Sequence, residues 1–336
     1  MQRNVSYPLI NASRLLGVFL CLLITDCSKQ KRSTDQWQQA PGKNQPNNPA
    51  KTTQPEITRP ESSSEPVKFL VYNLKNYLTM HRYSDGKVSY KSKPEEEIQA
   101  LVETILSARP DILGVCEIGQ PSDLHDLQSR LEAEGLPLMH SHRVNGSDKD
   151  RALAILSRFP IVSTHVPEKQ TFLIEGGRFR ISRGILDTTI QLPDKELRLL
   201  GVHLKSKRPV KQADQALIRR NESLLLRQHI EDILNTKPET MLCVYGDFND
   251  TKRSKAVSAI RGRTNSRAHM KIIELTDTRG ESWTHHWKHE DIYSRIDYVM
   301  VNERLDPFID KSSSKLLDPS DWELASDHRA MLVLIK

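Results

Sequence analysis

The sequence predicts a mixed α and β domain behind an export leader and an unpacked linker, and three observations support that reading. From residue 67 to the C-terminus, short apolar runs of strand length alternate with segments whose apolar residues recur at helical spacing. Residues 28–66 hold only four hydrophobic residues (Trp37, Ala40, Ala50 and Ile57) and six of the 18 prolines, too little apolar surface to offset the entropy of folding. Arg3 and Arg14 accompany an unbroken apolar run from Leu15 to Ile24, which is too short to span a ~30 Å hydrocarbon core as a helix. The 336-residue chain is 37% hydrophobic, about 41% with its 14 glycines, against ~45–50% for a typical globular chain. The linker accounts for the shortfall. Collagen, coiled coil, disulfide-rich miniprotein and polytopic membrane protein are excluded.

A charged start, a short apolar stretch and a polar exit describe a secretory signal peptide over residues 1–27. Cys27, followed by Ser28 and a polar tether, resembles the acylated cysteine of a bacterial lipoprotein, although Asp26 stands where such sites prefer Gly, Ala or Ser. Membrane anchoring through a lipidated Cys27 and soluble secretion are both open, so the expected location is periplasmic, outer-membrane lipoprotein or secreted. Residues 67–336 then form the folded part, long enough for one large core or two small ones. Cys116 and Cys243 each sit inside an apolar run. Two cysteines make no disulfide framework and lack the spacing of a zinc site, so buried free thiols are expected.

Val67 to Leu74 reads as a first strand. Ile98, Leu101, Val102, Ile105 and Leu106 recur at helical spacing until Pro110 stops them. Asp111 to Cys116 reads as a buried strand, and Leu124, Leu127 and Leu131 mark a second helix that Gly135 can terminate. Strands follow at 152–157, 185–192 and 197–203. A long helical pattern runs through Leu217, Leu224, Leu225, Gln228 and Ile233. Met241 to Tyr245 is another strand, and two more close the chain near 296–301 and 331–335. No repeat appears at a period of 20 to 50 residues.

Polar residues cluster at the ends of these strands, where a rigid scaffold can aim a functional group. Asn73 ends the first strand, Glu117 the second and His203 another. Asp247 and Asn249 follow Met241 to Tyr245, Asp297 lies in Arg295-Ile296-Asp297-Tyr298, and Ser326-Asp327-His328 opens the last strand. Taken singly, each is more often a turn or cap residue; the ordered set is not. With the runs Pro110 to Glu117, Ala154 to Pro160 and Val202 to Ser206, these motifs resemble the endonuclease/exonuclease/phosphatase superfamily from residue 67 to the C-terminus.

That resemblance implies an α+β fold, a four-layer α/β/β/α sandwich of two packed mixed sheets flanked by helices. It also implies a Mg²⁺-dependent phosphodiesterase, with Mn²⁺ or Ca²⁺ as alternatives. Glu117 is the implied metal ligand, supported by Asn73 and Asp327, an oxygen set suited to a hard cation. His328, oriented by Asp297, is the implied general base or water-orienting group. Asp247 would position or deprotonate the nucleophile, Asn249 would donate to a phosphoryl oxygen, and His203 would bind or protonate at the phosphate. Lys75 stands where the AP endonucleases of this superfamily have Asp, which directs the reading to the exported nuclease branch.

Seven cations and no acid lie between Asp250 and Glu274, Arg261 and Arg263 among them, and Lys205, Lys207, Arg208 and Lys211 follow His203. Lys205, Arg208, Arg261 and Arg263 are the expected substrate contacts, and nucleic acid is the expected substrate. The folded part contributes only half of the chain's net charge of +6, so placement argues more than total. Trp283, His285, His286 and Trp287 are either a base-stacking platform or core. Alternatives are a phospholipid or phosphomonoester substrate, for which no clear apolar hairpin run is present, and a surface module without catalysis. A monomer is expected, and no protein partner is inferable.

Overall fold

The computed structural model describes residues 65–84 and 86–336. The expected signal peptide, Cys27 and nearly all of the linker lie outside the described residues. Strand β1 (Val67–Tyr77) is followed by the hairpin β2 (Met80–Ser84) and β3 (Lys87–Lys91). Helix α1 (Glu95–Ala108) begins with three acids, which suit its N-terminal dipole, and ends at Arg109 in the left-handed conformation just before Pro110. Next come β4 (Ile112–Ile118), α2 (Pro121–Ala133), β5 (His140–Val144), β6 (Ala152–Ser157) and β7 (Ile161–His165). A second hairpin, β8 (Thr171–Ile174) and β9 (Gly177–Arg180), leads to β10 (Ile185–Gln191), β11 (Glu196–His203) and the long helix α3 (Gln215–Thr236). The chain ends with β12 (Leu242–Asp247), α4 (Lys255–Arg261), β13 (Lys271–Ile272), β14 (His285–Trp287), β15 (Ile292–Ser294), β16 (Asp297–Val301), β17 (Ile309–Leu316), α5 (Trp322–Ala325) and β18 (Met331–Ile335).

Two six-stranded mixed sheets organise these elements, ordered β17-β18-β1-β4-β6-β5 and β13-β16-β12-β11-β10-β7. The central strands β1, β4, β6, β11, β12 and β16 are apolar on both faces because both faces are covered. Along β1, Leu70, Tyr72 and Leu74 pack outward against Leu101 and Ile105 of α1 and Leu127 and Leu131 of α2. Val67, Phe69 and Val71 point inward, toward Leu199, Cys243, Tyr245 and Val299 of the second sheet. The outer face of that sheet, Leu200, Val202, Val244 and Tyr298, receives Leu226 and Ile230 of α3 and Val257 of α4. This is the expected four-layer α/β/β/α sandwich. Cys116 and Cys243 are buried free thiols.

The expected face of α3 is corrected by the structure. Leu217 and Leu224 are exposed, while Ile218, Leu226, Ile230, Ile233 and Leu234 are buried together with Arg219, Glu222 and Arg227. Polar residues buried by pairing broke the apolar periodicity that would have marked this face. The sequence reading also passed over β5, β17 and the hairpins β2–β3, β8–β9 and β14–β15. These are edge strands or strands without a covered face, so they lack strong apolar alternation.

One buried polar contact fixes α3 to the sheet. The Asp187 carboxylate on β10 is fully buried and accepts from Arg198 Nε at 2.8 Å and Arg198 Nη2 at 2.7 Å, with His229 Nε2 of α3 at 2.7 Å. Burial works to raise the Asp187 pKa, but His229 and Arg198 outweigh it and hold the carboxyl below its ordinary value. Such a depressed acid contributes stability above its unfolded pKa of ~3.9 and loses it as pH falls through the lower folded value. Asp187→Ala is expected to reduce unfolding free energy by about 3 kcal/mol at neutral pH. Chemical denaturation should show that deficit shrinking below about pH 4.

Candidate active site

The inward stripes of both sheets run on, at one end of the sandwich, into polar side chains. On β1 the inward series Phe69, Val71 continues to Asn73; on β11 and β12 it continues to His203 and to Asp247, which are register partners. Asp297 at the start of β16 faces Asp247 across the ladder. Gly246, at φ 126°, lies so close to β11 that an added Cβ would meet Val202 O at 2.0 Å, and this close approach sets Asp247 beside His203. Glu117 would point outward by strand alternation, since Cys116 points in. Its left-handed backbone, φ 64°, and a register shift in the pairing of β4 with β6 turn it into the site instead. Ser326 Oγ donates to Asn73 O at 2.8 Å and accepts from His328 N at 3.1 Å, which ties the Asp327-His328 turn to β1.

Asn73, Glu117, His203, Asp247, Asn249, Asp297, Asp327 and His328 are therefore brought together. His328 Nδ1 lies 2.8 Å from Asp297 Oδ2, which also accepts from Thr284 Oγ1 at 2.7 Å. That contact places the imidazole's other nitrogen toward Asn73 Nδ2, at 3.4 Å, and Asp247 Oδ2, at 3.9 Å. Asn73 Nδ2 donates to Asp247 Oδ2 at 3.1 Å. His203 Nε2 is 3.5 Å from Asp247 Oδ2 and 3.9 Å from Glu117 Oε1, while its buried Nδ1 has no partner among the described residues. Asp327 is more open, with Oδ1 at 4.0 Å from His328 Nε2.

Two of the expected residues are engaged within the site itself. Asn249, at φ 51°, uses its side-chain amide to donate to Leu204 O at 3.0 Å and Asp247 Oδ2 at 3.2 Å, so here it braces the loop and Asp247 instead of presenting free donors. His203 is pushed well below its ordinary pKa by burial, then by Arg183, His328, Arg151 and Lys205. A ring so lowered favours the hydrogen-bonding half of its expected role, binding at the phosphate.

Burial, with Asp297 next, raises Asp247 to about 8; His328 and the Asn249 N–H pull it down and Glu117 pushes it up. Burial works against charge on His328, yet Asp297, then Asp247 and Asp327, raise it to about 10. The site thus holds more negative charge than its own cations neutralise, which is the condition a divalent cation relieves. Donor atoms of Asp247, Asp297 and His328 lie within 4.8 Å of one another. Asp297 Oδ2 already serves Thr284 and His328. Glu117 is freer: Oε2 accepts only Asn76 N, at 2.9 Å, with Arg151 Nε at 3.9 Å. Its oxygens, with Asn73 and Asp327 beside the same space, fit a hard cation.

Arg151 and Arg183, which the sequence reading missed, stand at the rim. Arg151 Nε donates to Asn76 Oδ1 at 2.7 Å, and Arg183 Nε, buried and without a hydrogen bond, is 3.3 Å from Asp148 Oδ2. Asp148, Arg183, Lys205 and two serines line a cavity of about 290 Å³. Arg208 is exposed; Arg261 and Arg263, at the end of α4, have no described contact with the cluster. A larger cavity of about 1170 Å³, lined by His165, Arg198 and His229, contains none of the site residues. Trp283 packs on Trp322 and Tyr293 and under Arg329, while Trp287 is exposed, so the expected platform divides between packing and surface.

The Endonuclease/Exonuclease/phosphatase family profile matches residues 86–328. No curated protein sequence gives a significant match. Among solved structures, the human nocturnin catalytic domain with bound sulfate is similar at 16% identity and TM-score 0.56, over 81% of this chain and 94% of that one. An endonuclease/exonuclease/phosphatase from Bacteroides vulgatus is similar at 17% identity and TM-score 0.56, over 81% and 99%. Truncated TDP2 from Caenorhabditis elegans follows at 16% identity and TM-score 0.53, over 81% and 98%. At these identities the likeness is one of fold.

In metal-free protein the raised Asp247 pKa destabilises the fold as pH rises from ~3.9, the unfolded value, through about 8, and the penalty is complete above that. Asp247→Asn is expected to raise the melting temperature of metal-free protein at pH 8.5 or so while abolishing hydrolysis. Added Mg²⁺ or Mn²⁺ should raise the wild-type melting temperature, and raise that of Glu117→Gln less, in a thermal-shift titration.

Proposed function

The chain belongs to the endonuclease/exonuclease/phosphatase family, a family of metal-dependent phosphoester hydrolases, and from that premise we propose that it is a Mg²⁺-dependent nuclease acting on nucleic-acid phosphodiester bonds. The observation behind the substrate assignment is the set of cations close to the buried acid cluster: Arg151, 3.9 Å from Glu117, and Arg183 and Lys205, whose charges act on His203 and which line a cavity of about 290 Å³. A phosphodiester polymer brings further phosphates to such a rim.

Glu117, with Asn73 and Asp327, would hold the cation, which when bound supplies charge neutralisation at the phosphate. Asp247, held by Asn73 and Asn249, has a carboxyl raised enough to accept a proton from water near neutral pH. Asp297 keeps His328 charged and oriented, so its Nε2–H can donate to a phosphoryl oxygen as charge builds there. Neutral His203 donates from the opposite wall. The reading also places the enzyme outside the cytoplasm, on the leader alone; among the described residues no helix is long and apolar enough to cross a membrane.

A phospholipid phosphodiester is the second reading, favoured by exposed Trp287, Ile292 and Tyr293 on the β14–β15 hairpin, whose His285 ring lies 4.6 Å from that of His328. The folded protein therefore exposes an apolar hairpin that no continuous run in the sequence announced.

Supercoiled plasmid, single-stranded RNA, sphingomyelin and inositol phosphates, each offered with Mg²⁺ and with a chelator, separate these readings. Chelator-sensitive nicking of plasmid that falls by about 10³-fold or more in His328→Ala is expected; turnover of lipid or phosphomonoester alone would overturn the nucleic-acid assignment. The kcat/KM profile should rise as Asp247 loses its proton and fall as His328 loses its own, with both limbs displaced to lower pH from about 8 and about 10 by the bound cation.

A further inference from the structure

The β2–β3 hairpin grows out of the end of β1 and exposes an unusual surface. Its register pairs His81 with Tyr90 and Tyr83 with Val88, and strand alternation places these four side chains on one face. The His81 and Tyr90 rings meet edge to face at 5.1 Å. Tyr83 is 76% exposed, Val88 66% and Tyr90 68%. The other face holds Arg82, Lys87 and Lys91, and the sequence of residues 80–91 contains a single acid. A two-stranded hairpin is marginal without a covered face, and a contiguous exposed aromatic face marks a binding surface.

The base of this hairpin is tied to the candidate active site. Arg82 Nη2 donates to Asn76 O at 2.7 Å and Leu78 O at 3.0 Å. Asn76 in turn donates its N–H to Glu117 Oε2 and accepts Arg151 Nε at its side-chain oxygen. Lys75 and Asn76, both at positive φ, make the bend that sends the chain outward there. Anything held on the hairpin is therefore held in register with the Glu117 carboxylate.

We infer that β2–β3 is a clamp for a polynucleotide extending from the reacting phosphodiester, with bases stacking on Tyr83 and Tyr90 and phosphates meeting the Lys87 edge. The inference rests on the nucleic-acid reading of the active site. Aromatic rings offer every base a stacking face, and Lys87, next to Val88 but on the opposite face, supplies a cation that a backbone passing over the hairpin's edge can meet. A head group or phosphomonoester ends at the reacting centre and gives such an arm nothing to hold.

Steady-state hydrolysis of a single-stranded oligonucleotide with Mg²⁺ tests it, with melting temperature as the check on folding. Y83A/Y90A is expected to raise KM about tenfold or more with kcat preserved. K87Q is expected to lower the slope of log KM against log salt by about 0.7. If wild-type protein cuts the oligonucleotide and neither variant changes KM or its salt slope, the clamp is overturned and the nuclease reading stands. If wild-type protein hydrolyses only sphingomyelin or a phosphomonoester, both fall. Loss of phosphatidylcholine-vesicle binding in Y83A/Y90A with an unchanged oligonucleotide KM would also overturn the clamp, since the face would then serve a lipid surface.

Discussion

The close face-to-face packing of two sheets is the constraint on which the rest of this domain depends. Tyr245 of the second sheet reaches across to Phe69 of the first, with ring centroids 5.0 Å apart, and lies over Gly114, where an added Cβ would sit 2.3 Å from the ring. No larger residue at 114 would let the sheets approach this far. Because they do, Asn73 and Glu117 from one sheet share a single mouth with His203, Asp247 and Asp297 from the other. The residues of the candidate site are strand ends of the core itself, so their positions inherit the rigidity of the packing.

That placement has an electrostatic consequence. Asp247 and Asp297 are buried as register partners on adjacent strands, with Glu117 near, and the charge on His328 is what answers them. A fold selected for stability alone would avoid this arrangement, since buried like charges oppose one another and desolvation penalises each. The same crowding of buried carboxylates raises Asp247 into the range useful for proton transfer. Stability surrendered at the mouth is offset by the three apolar layers beneath it.

The rim is held by a second set of buried polar contacts. Glu222 of α3, fully buried, accepts from Ser182 N at 2.8 Å, Ser182 Oγ at 2.6 Å and Lys205 N at 2.6 Å. Burial raises its pKa while these donors pull it down. Arg219 adds a bond to Lys205 O and one to Asp250. Through these bonds α3 positions the segments bearing Arg183 and Lys205, although α3 itself contributes no side chain to the acid cluster. The Asp187 contact with His229 and Arg198 anchors the same helix to the sheet.

The sequence by itself marked the core strands and the polar residues that end them, while the four layers were implied by the family resemblance those residues carry. Core strands buried on both faces are short apolar runs, legible without knowing their partners, and the polar residues that end them stand out against that background. Tertiary structure alone decided what surrounds the cluster. Arg151 and Arg183 lie in segments with no periodicity, and only folding brings them to Asp148 and the Asn73 end of β1. The buried face of α3 was misread because Arg219, Glu222 and Arg227 are polar and become buried only through partners distant in the chain. Arg261 and Arg263 are near Asp247 in sequence, yet no described contact joins them to the cluster. Local patterning registers which residues avoid water; which polar groups meet depends on sheet order and register, and those are properties of the assembled core.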